Sequence, residues 1–315
     1  MFKPFLLRIH RWITLVFATP LAVVIVTGLV LSFEPMVIGS GAPPLSADML
    51  AAVLAKHDPD GKARTLVIRS YAGTVSIGGA QRGQMTHIDL ATNEKAASPG
   101  ALPTLFSTSR QLHEAFLLQL GWLVTASTIA MLVLIAIGVL MGWPRLRNTL
   151  AGWHKGTGWF LLPLLILSPL TGLFLAFGVT FTSPLPRTPA GTPPIAMAEA
   201  VRIVAAAHDL ARVTWIRPLG GPLMARLDDG GEMRVFNITR NGLVATSRNW
   251  PRLLHEGNWS HTIAPIINVV ISLALVLLLT TGLWIWARRT FRRRPARAGV
   301  RPSAARKTDR PLAAG

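Results

Sequence analysis

Apolar residues in this chain are gathered into four long blocks instead of being spread as in a soluble core. Residues 12–33, 115–143, 156–181 and 263–287 contain no Asp, Glu, Lys or Arg. Each block exceeds the roughly 20 residues that a helix needs to cross a ~30 Å hydrocarbon layer. The pattern predicts four transmembrane helices. The first block resembles the apolar stretch of a signal peptide, but it is too long and no small-x-small cleavage site follows. It is expected to be retained.

Between the blocks the period changes. Residues 46–57 and 195–208 have helical spacing, whereas 65–70, 74–78 and 85–90, and again 212–217, 223–227 and 233–238, read as short strands. The Gly-rich stretch 78–83 reads as a hairpin turn. Proline-rich linkers introduce both regions, at Pro43-Pro44 and at Pro184, Pro186, Pro189 and Pro193-Pro194. Each region therefore predicts one helix followed by three strands. Units this small bury little surface alone and should pack on each other or on the membrane helices.

The halves are also related in detail. His10 and His154 open the same 24-residue pattern, 144 residues apart, with Thr27-Gly28-Leu29 and Phe33 matched by Thr171-Gly172-Leu173 and Phe177. Leu112-His113-Glu114 and Leu254-His255-Glu256 form a second matched pair. This is an internal duplication. It is parallel, because each half holds an even number of crossings.

The net charge of +18 acquires meaning only from its placement. Segments 1–11 and 144–155 carry three basic residues each and no acid, and 287–315 carries ten with the single acid Asp309. The long segments between hold 16 basic and 13 acidic residues. Such alternation puts both termini and the short central loop in the cytoplasm and exports the two α+β regions. A basic juxtamembrane tail meets anionic lipid headgroups. With no aromatic residue after Phe291 to stack on bases, it does not read as a nucleic-acid site. Absence of cysteine excludes disulfides, iron–sulfur clusters and thiolate chemistry.

Topology sorts the histidines into pairs. His10 and His154 lie at the cytoplasmic ends of the first and third helices, His113 and His255 at the exported ends of the second and fourth. Two neutral imidazoles across a gap suit the two axial positions of a b-type haem, one at each face. A zinc ion would want about four ligands, with no Cys to complete either pair. His261, nearer the last apolar run, is the alternative to His255. Gly28 and Gly172 each lie 18 residues, or five helical turns, past His10 and His154, and Gly138 lies near the face of His113. Close approach of a flat macrocycle and helix–helix packing both use such glycines. Arg8, Arg11 and Arg110 flank ligand positions and suit either haem propionates or lipid headgroups. His57 and His208 precede Asp at helix ends, where dipole and turn account for them. His87 stands in a strand without an evident partner. No protease, hydrolase or nucleotide-binding motif occurs in a fitting context.

Leu7-Arg8-Ile9-His10-Arg11-Trp12, Leu112-His113, Trp153-His154-Lys155 and Leu254-His255-Glu256-Gly257, in this order, resemble the PepSY-associated transmembrane proteins, a family of iron-regulated membrane proteins. The likeness covers nearly the whole chain except the tail after about residue 290. It implies a bacterial inner-membrane protein with two b haems held by His10, His113, His154 and His255. Some members reduce ferric siderophores in the periplasm. Asn258-Trp259-Ser260-His261 departs from the pattern by adding a second histidine at the fourth motif.

The expected fold is a membrane all-α four-helix bundle of two helix–domain–helix repeats, with two small α+β PepSY-like periplasmic domains. The expected boundaries are helix 1–33, domain 34–112, helix 113–143, cytoplasmic loop 144–155, helix 156–181, domain 182–254, helix 255–287 and a basic tail 288–315. The expected function is electron transfer across the bilayer, from a cytoplasmic or quinol donor to a periplasmic ferric chelate. The alternative is a non-enzymatic membrane protein whose PepSY-like domains bind or regulate a partner such as a peptidase. An ion or haem transporter is disfavoured because the spans hold no ionised residue.

Overall fold

The computed structural model describes residues 2–38, 44–79, 84–116, 119–144, 147–184 and 193–291. The basic tail from 292 on, Pro43, Pro186, Pro189 and most of the 78–83 turn lie outside the described residues. The first apolar block does not form one straight helix. It is divided into α1 (Phe2–Val16), α2 (Ala18–Leu31) and a short α3 (Glu34–Ile38). Pro20 explains the first break, because it has no N–H to give the Val16 carbonyl and its ring crowds that group.

The polar region that follows contains α4 (Ala47–His57), capped by the Ser46 hydroxyl accepting from Met49 N–H. Four strands come next, β1 (Thr65–Arg69), β2 (Thr74–Gly78), β3 (Met85–Asp89) and β4 (Glu94–Ala96). The chain then forms α5 (Ala101–Ala115) and α6 (Gly121–Leu140). The second half repeats the plan with α7 (Leu150–Phe160), α8 (Leu162–Ala176) and α9 (Met197–Ala207). After these come β5 (Val213–Pro218), β6 (Leu223–Asp229), β7 (Glu232–Thr239) and β8 (Gly242–Ala245), then α10 (Trp250–Glu256) and α11 (Ile263–Phe291).

Two expectations need correction. The membrane part is not a bundle of four uninterrupted helices. Among the described residues three spans are long and apolar enough, at Ala18–Ile38, Gly121–Leu140 and Ile263–Phe291. The fourth crossing would have to be α7 with α8, bent by 67° at Leu161. Pro163 crowds the Trp159 carbonyl there, as Pro20 does in the first half. The matched ligand motifs also lie outside the spans that follow them. His113 is on α5, whose continuation is cut at Phe116 (φ +56°). His255 is on α10, which ends at Gly257 in the left-handed conformation (φ +68°).

The two polar regions, moreover, are not two separate small domains. Their strands form a single antiparallel sheet in the order β4-β3-β2-β1-β5-β6-β7-β8. The halves join at β1–β5, where Leu66 faces Ile216 and Val67 faces Trp215. One sheet face carries α4 and α9 over a common core in which Leu50, Leu66, Ile88, Val201, Ile216 and Leu227 are fully buried. A shared core solves the problem of two units each too small to be stable alone. The strands missing from the sequence reading, β4 and β8, are the edges, and they are short. Glu94-Lys95 and the exposed end of β8 keep those edges from recruiting further strands.

A single core has a measurable consequence. Leu66→Ala should cost about 2–4 kcal/mol, and it should raise amide exchange in β6 and β7 as well as in β2 and β3. Faster exchange confined to residues 65–96 would mean that the halves are independent units.

Candidate functional site

Four histidines converge in two places. His113 and His255 meet below the sheet, with ring centres 5.9 Å apart and planes inclined by 43°. His10 and His154 meet at the other end of the helices, with ring centres 6.4 Å apart and planes at 89°. A metal shared through two imidazole nitrogens requires about 6 Å between ring centres, from two bonds of about 2 Å and about 1 Å inside each ring. Both pairs have that spacing. Among the described residues no cluster of three or more His, Asp or Glu is placed to hold a bare metal ion. Each pair thus brings two imidazoles together at a spacing that one metal could bridge.

The rings are held by notches in neighbouring helices. His113 Nδ1 lies 3.0 Å from the Val24 carbonyl and 3.2 Å from Thr27 Oγ1. His255 repeats this in the second half, 3.0 Å from the Ser168 carbonyl and 3.3 Å from Thr171 Oγ1. A carbonyl oxygen only accepts, so Nδ1 carries the proton in both rings and Nε2 keeps its lone pair. The residue after each threonine is glycine. A Cβ at Gly28 would stand 3.1 Å from His113 Cε1, and one at Gly172 only 2.8 Å from His255 Cε1. These glycines therefore make room for an imidazole from another helix.

The far pair uses the same device on other helices. His154 Nδ1 donates to Thr281 Oγ1 at 2.8 Å, while that hydroxyl donates to the Leu277 carbonyl. Gly282 follows, with His154 Cε1 at 3.5 Å from its would-be Cβ. The fourth notch differs. His10 Nδ1 is turned toward the Leu134 carbonyl yet is buried with no hydrogen-bond partner. Ile137 stands where the other notches have threonine, and Gly138 has open space beside it. The sequence signal for this set was a third Thr-Gly-Leu, at 281–283, and the related Ile-Gly at 137–138. Of the two uses that the Gly28 and Gly172 spacing allows, the structure shows packing between helices: each glycine faces an imidazole from elsewhere in the chain.

His261 is not at either pair. It sits at the sheet, Nδ1 3.8 Å from Asp228 Oδ2. His57 contacts the Asn93 carbonyl, His208 lies beside Phe236 and His87 Nδ1 is 2.8 Å from Ser76 Oγ. The carbonyl of His255 is capped by Asn268 Nδ2 at 2.8 Å, which ties α10 to α11.

Charge surrounds the sheet-side pair. Each of its two histidine motifs reads Arg-x-x-His-Glu, at Arg110–Glu114 and at Arg252–Glu256. Arg110 bonds Glu34, so it faces a carboxylate and not a lipid headgroup. Glu256 takes Arg226 at 2.5 Å and Arg252 at 2.7 Å. Burial alone would raise its carboxyl, but the charges of Arg226, Arg252 and Arg110 and the Arg226 hydrogen bond hold it down at about 2. Glu256 is therefore ionised at any pH above that value, and its pairs lose their attraction only as pH falls through it.

The notches make opposite predictions for one substitution. Gly172→Ala should drive a methyl against His255 and destabilise the purified protein by about 1–3 kcal/mol. Gly138→Ala meets nothing and should gain up to about 1 kcal/mol of helix propensity. Thermal unfolding in detergent distinguishes them, and equal effects would contradict the notch geometry.

The family profile described as the PepSY-associated TM region matches residues 7–289, which include both histidine pairs, the sheet and all but the last two residues of the final span. No curated protein matches the chain. With the match extending over so much of its length, this chain belongs to the PepSY-associated transmembrane family, and it is a multi-pass membrane protein.

Proposed function

We propose that this protein carries electrons across a membrane between two haem sites and delivers them to a ferric chelate, such as a ferric siderophore, on the sheet side. The observation that carries this reading is the pair of facing imidazoles at each end of the helices, spaced for one metal each. A b-type haem bound at each pair would supply the one-electron redox chemistry. His113 and His255 would hold one haem, His10 and His154 the other.

The chain's own residues account for the remainder. Nδ1–H bonds to the Val24 and Ser168 carbonyls fix the tautomer and raise the donor strength of Nε2. Gly28 and Gly172 let the rings approach without displacing backbone. On α11, Asn268 marks the level of one site and Thr281 the level of the other, about 20 Å apart along the axis. Between these levels lie Leu21, Ile25, Met131, Leu275 and Val276, which exclude water and ions from the space an electron crosses. The basic segments 1–11, 144–155 and 287–315 support a bacterial inner-membrane setting with both termini cytoplasmic. The donor would then be a quinol or a cytoplasmic reductase.

Substitution of single ligands tests this reading. His10→Ala and His154→Ala should each remove the same one of two haems, and His113→Ala and His255→Ala the other. His261→Ala should leave both. Haem content per chain and the reduced α band, with ferric-chelate reduction in vesicles, provide the readout. A fully loaded preparation without haem absorbance would overturn the proposal.

A further inference from the structure

The sheet face turned away from the core looks onto the helices that carry the sheet-side histidines. Arg69 on β1, Arg217 on β5 and Arg226 on β6 all point to that side, because Leu66, Ile216 and Ala225 beside them point into the core. Arg110 and Arg252 approach the same gap from α5 and α10. Five guanidiniums thus share this side with the carboxylates of Glu34, Glu114 and Glu256 and with Asp228, which lies on the same face of β6 as Arg226. Glu34 is taken by Arg110, and Glu256 by Arg226 and Arg252.

Two of these guanidiniums stand without a carboxylate partner: among the described residues neither Arg69 nor Arg217 lies within ion-pair distance of one. Arg69 donates to Ser76 Oγ at 2.7 Å, and that hydroxyl also meets His87. Arg217 lies over the Trp215 ring, 4.4 Å from its centre. Burial, and then the charges of Arg226 and Arg252, press the Arg217 guanidinium below its ordinary value. Like charges gathered at a partly dry boundary are unfavourable unless an anion joins them.

Spacing defines what would fit. Val67 pairs with Trp215 in antiparallel register, so Arg69 and Arg217 stand two residues beyond that pair in opposite directions. Their backbones are therefore about 14 Å apart along the strands. Val67 and Trp215 form an apolar floor between them. We infer that this gap binds an anion bearing at least two carboxylates, gripped at its ends by Arg69 and Arg217. Two sources share that chemistry, namely the propionates of a haem held by His113 and His255, or a free carboxylate chelate arriving from the sheet side. The first source rests on the proposed function, whereas the second does not.

The test uses the full-length protein in nanodiscs, with Arg69→Gln, Arg217→Gln and the double variant. Arg240→Gln, beyond the end of β7, controls for loss of charge alone. Citrate and its redox-inert gallium(III) complex are titrated by calorimetry, while haem content and both reduction potentials are followed spectroscopically. If the source is a free chelate, wild-type protein binds the probe saturably and each single variant weakens binding about tenfold. If the source is the propionates, citrate does not bind, and the variants lower the potential or the haem retention of the sheet-side site alone. Probe binding through these arginines by a protein without haem would sink the electron-transfer reading and leave the anion site standing. Wild-type protein that ignores citrate, with variants that leave haem content and both potentials unchanged, would overturn the inference.

Discussion

The bond from an imidazole Nδ1–H to a helix carbonyl organises this molecule. Inside a helix that carbonyl already accepts from the residue four positions on, yet its second lone pair remains available. The threonine three residues later adds its hydroxyl and the glycine after it removes the Cβ that would block the ring. Each notch therefore costs one side chain and one small residue on the receiving helix. In return it fixes a histidine from a different part of the chain, with Nε2 turned free. The same interaction docks α5 against α2 and α10 against α8, which seats the sheet above the helices.

Placement of the sheet follows from that docking. Because α5 and α10 are separate short helices, their basic residues are lifted out of the apolar layer and meet the arginine-rich face of the sheet. Glu256 reconciles the two surfaces, held by Arg226 of the sheet and Arg252 of α10, while Glu34 takes Arg110. The duplicated chain thus closes into one object with two similar ends. It is not symmetric, since Ile137 leaves His10 without the threonine that steadies its counterpart His154. The two imidazoles of the far pair are therefore anchored unequally.

Much of this was legible in the residues. Long uncharged runs announced the crossings, and the matched His-Thr-Gly-Leu spacing pointed to a duplication. Three of the strands in each half were readable from their alternation. What escaped notice had physical reasons. The join between β1 and β5 links Leu66 to Ile216, a pairing that no local pattern encodes. Pro20 and Pro163 were present in plain sight, but apolar runs of membrane length mask a break that hydropathy does not sense. The glycines drew attention at the right positions, but the imidazole that each faces was not legible, because helical periodicity relates residues of one helix and says nothing about its neighbour.

Electron paramagnetic resonance of the oxidised, fully loaded protein tests the central claim most directly. Perpendicular imidazole planes leave the iron orbitals nearly degenerate and give a low-spin ferric signal of large anisotropy, whereas inclined planes give a more rhombic one. With planes at 89° in one pair and 43° in the other, two distinct low-spin signals are expected, the more anisotropic one vanishing in His10→Ala. A spectrum with no low-spin ferric signal, or one in which His10→Ala and His113→Ala erase the same signal, would contradict the account.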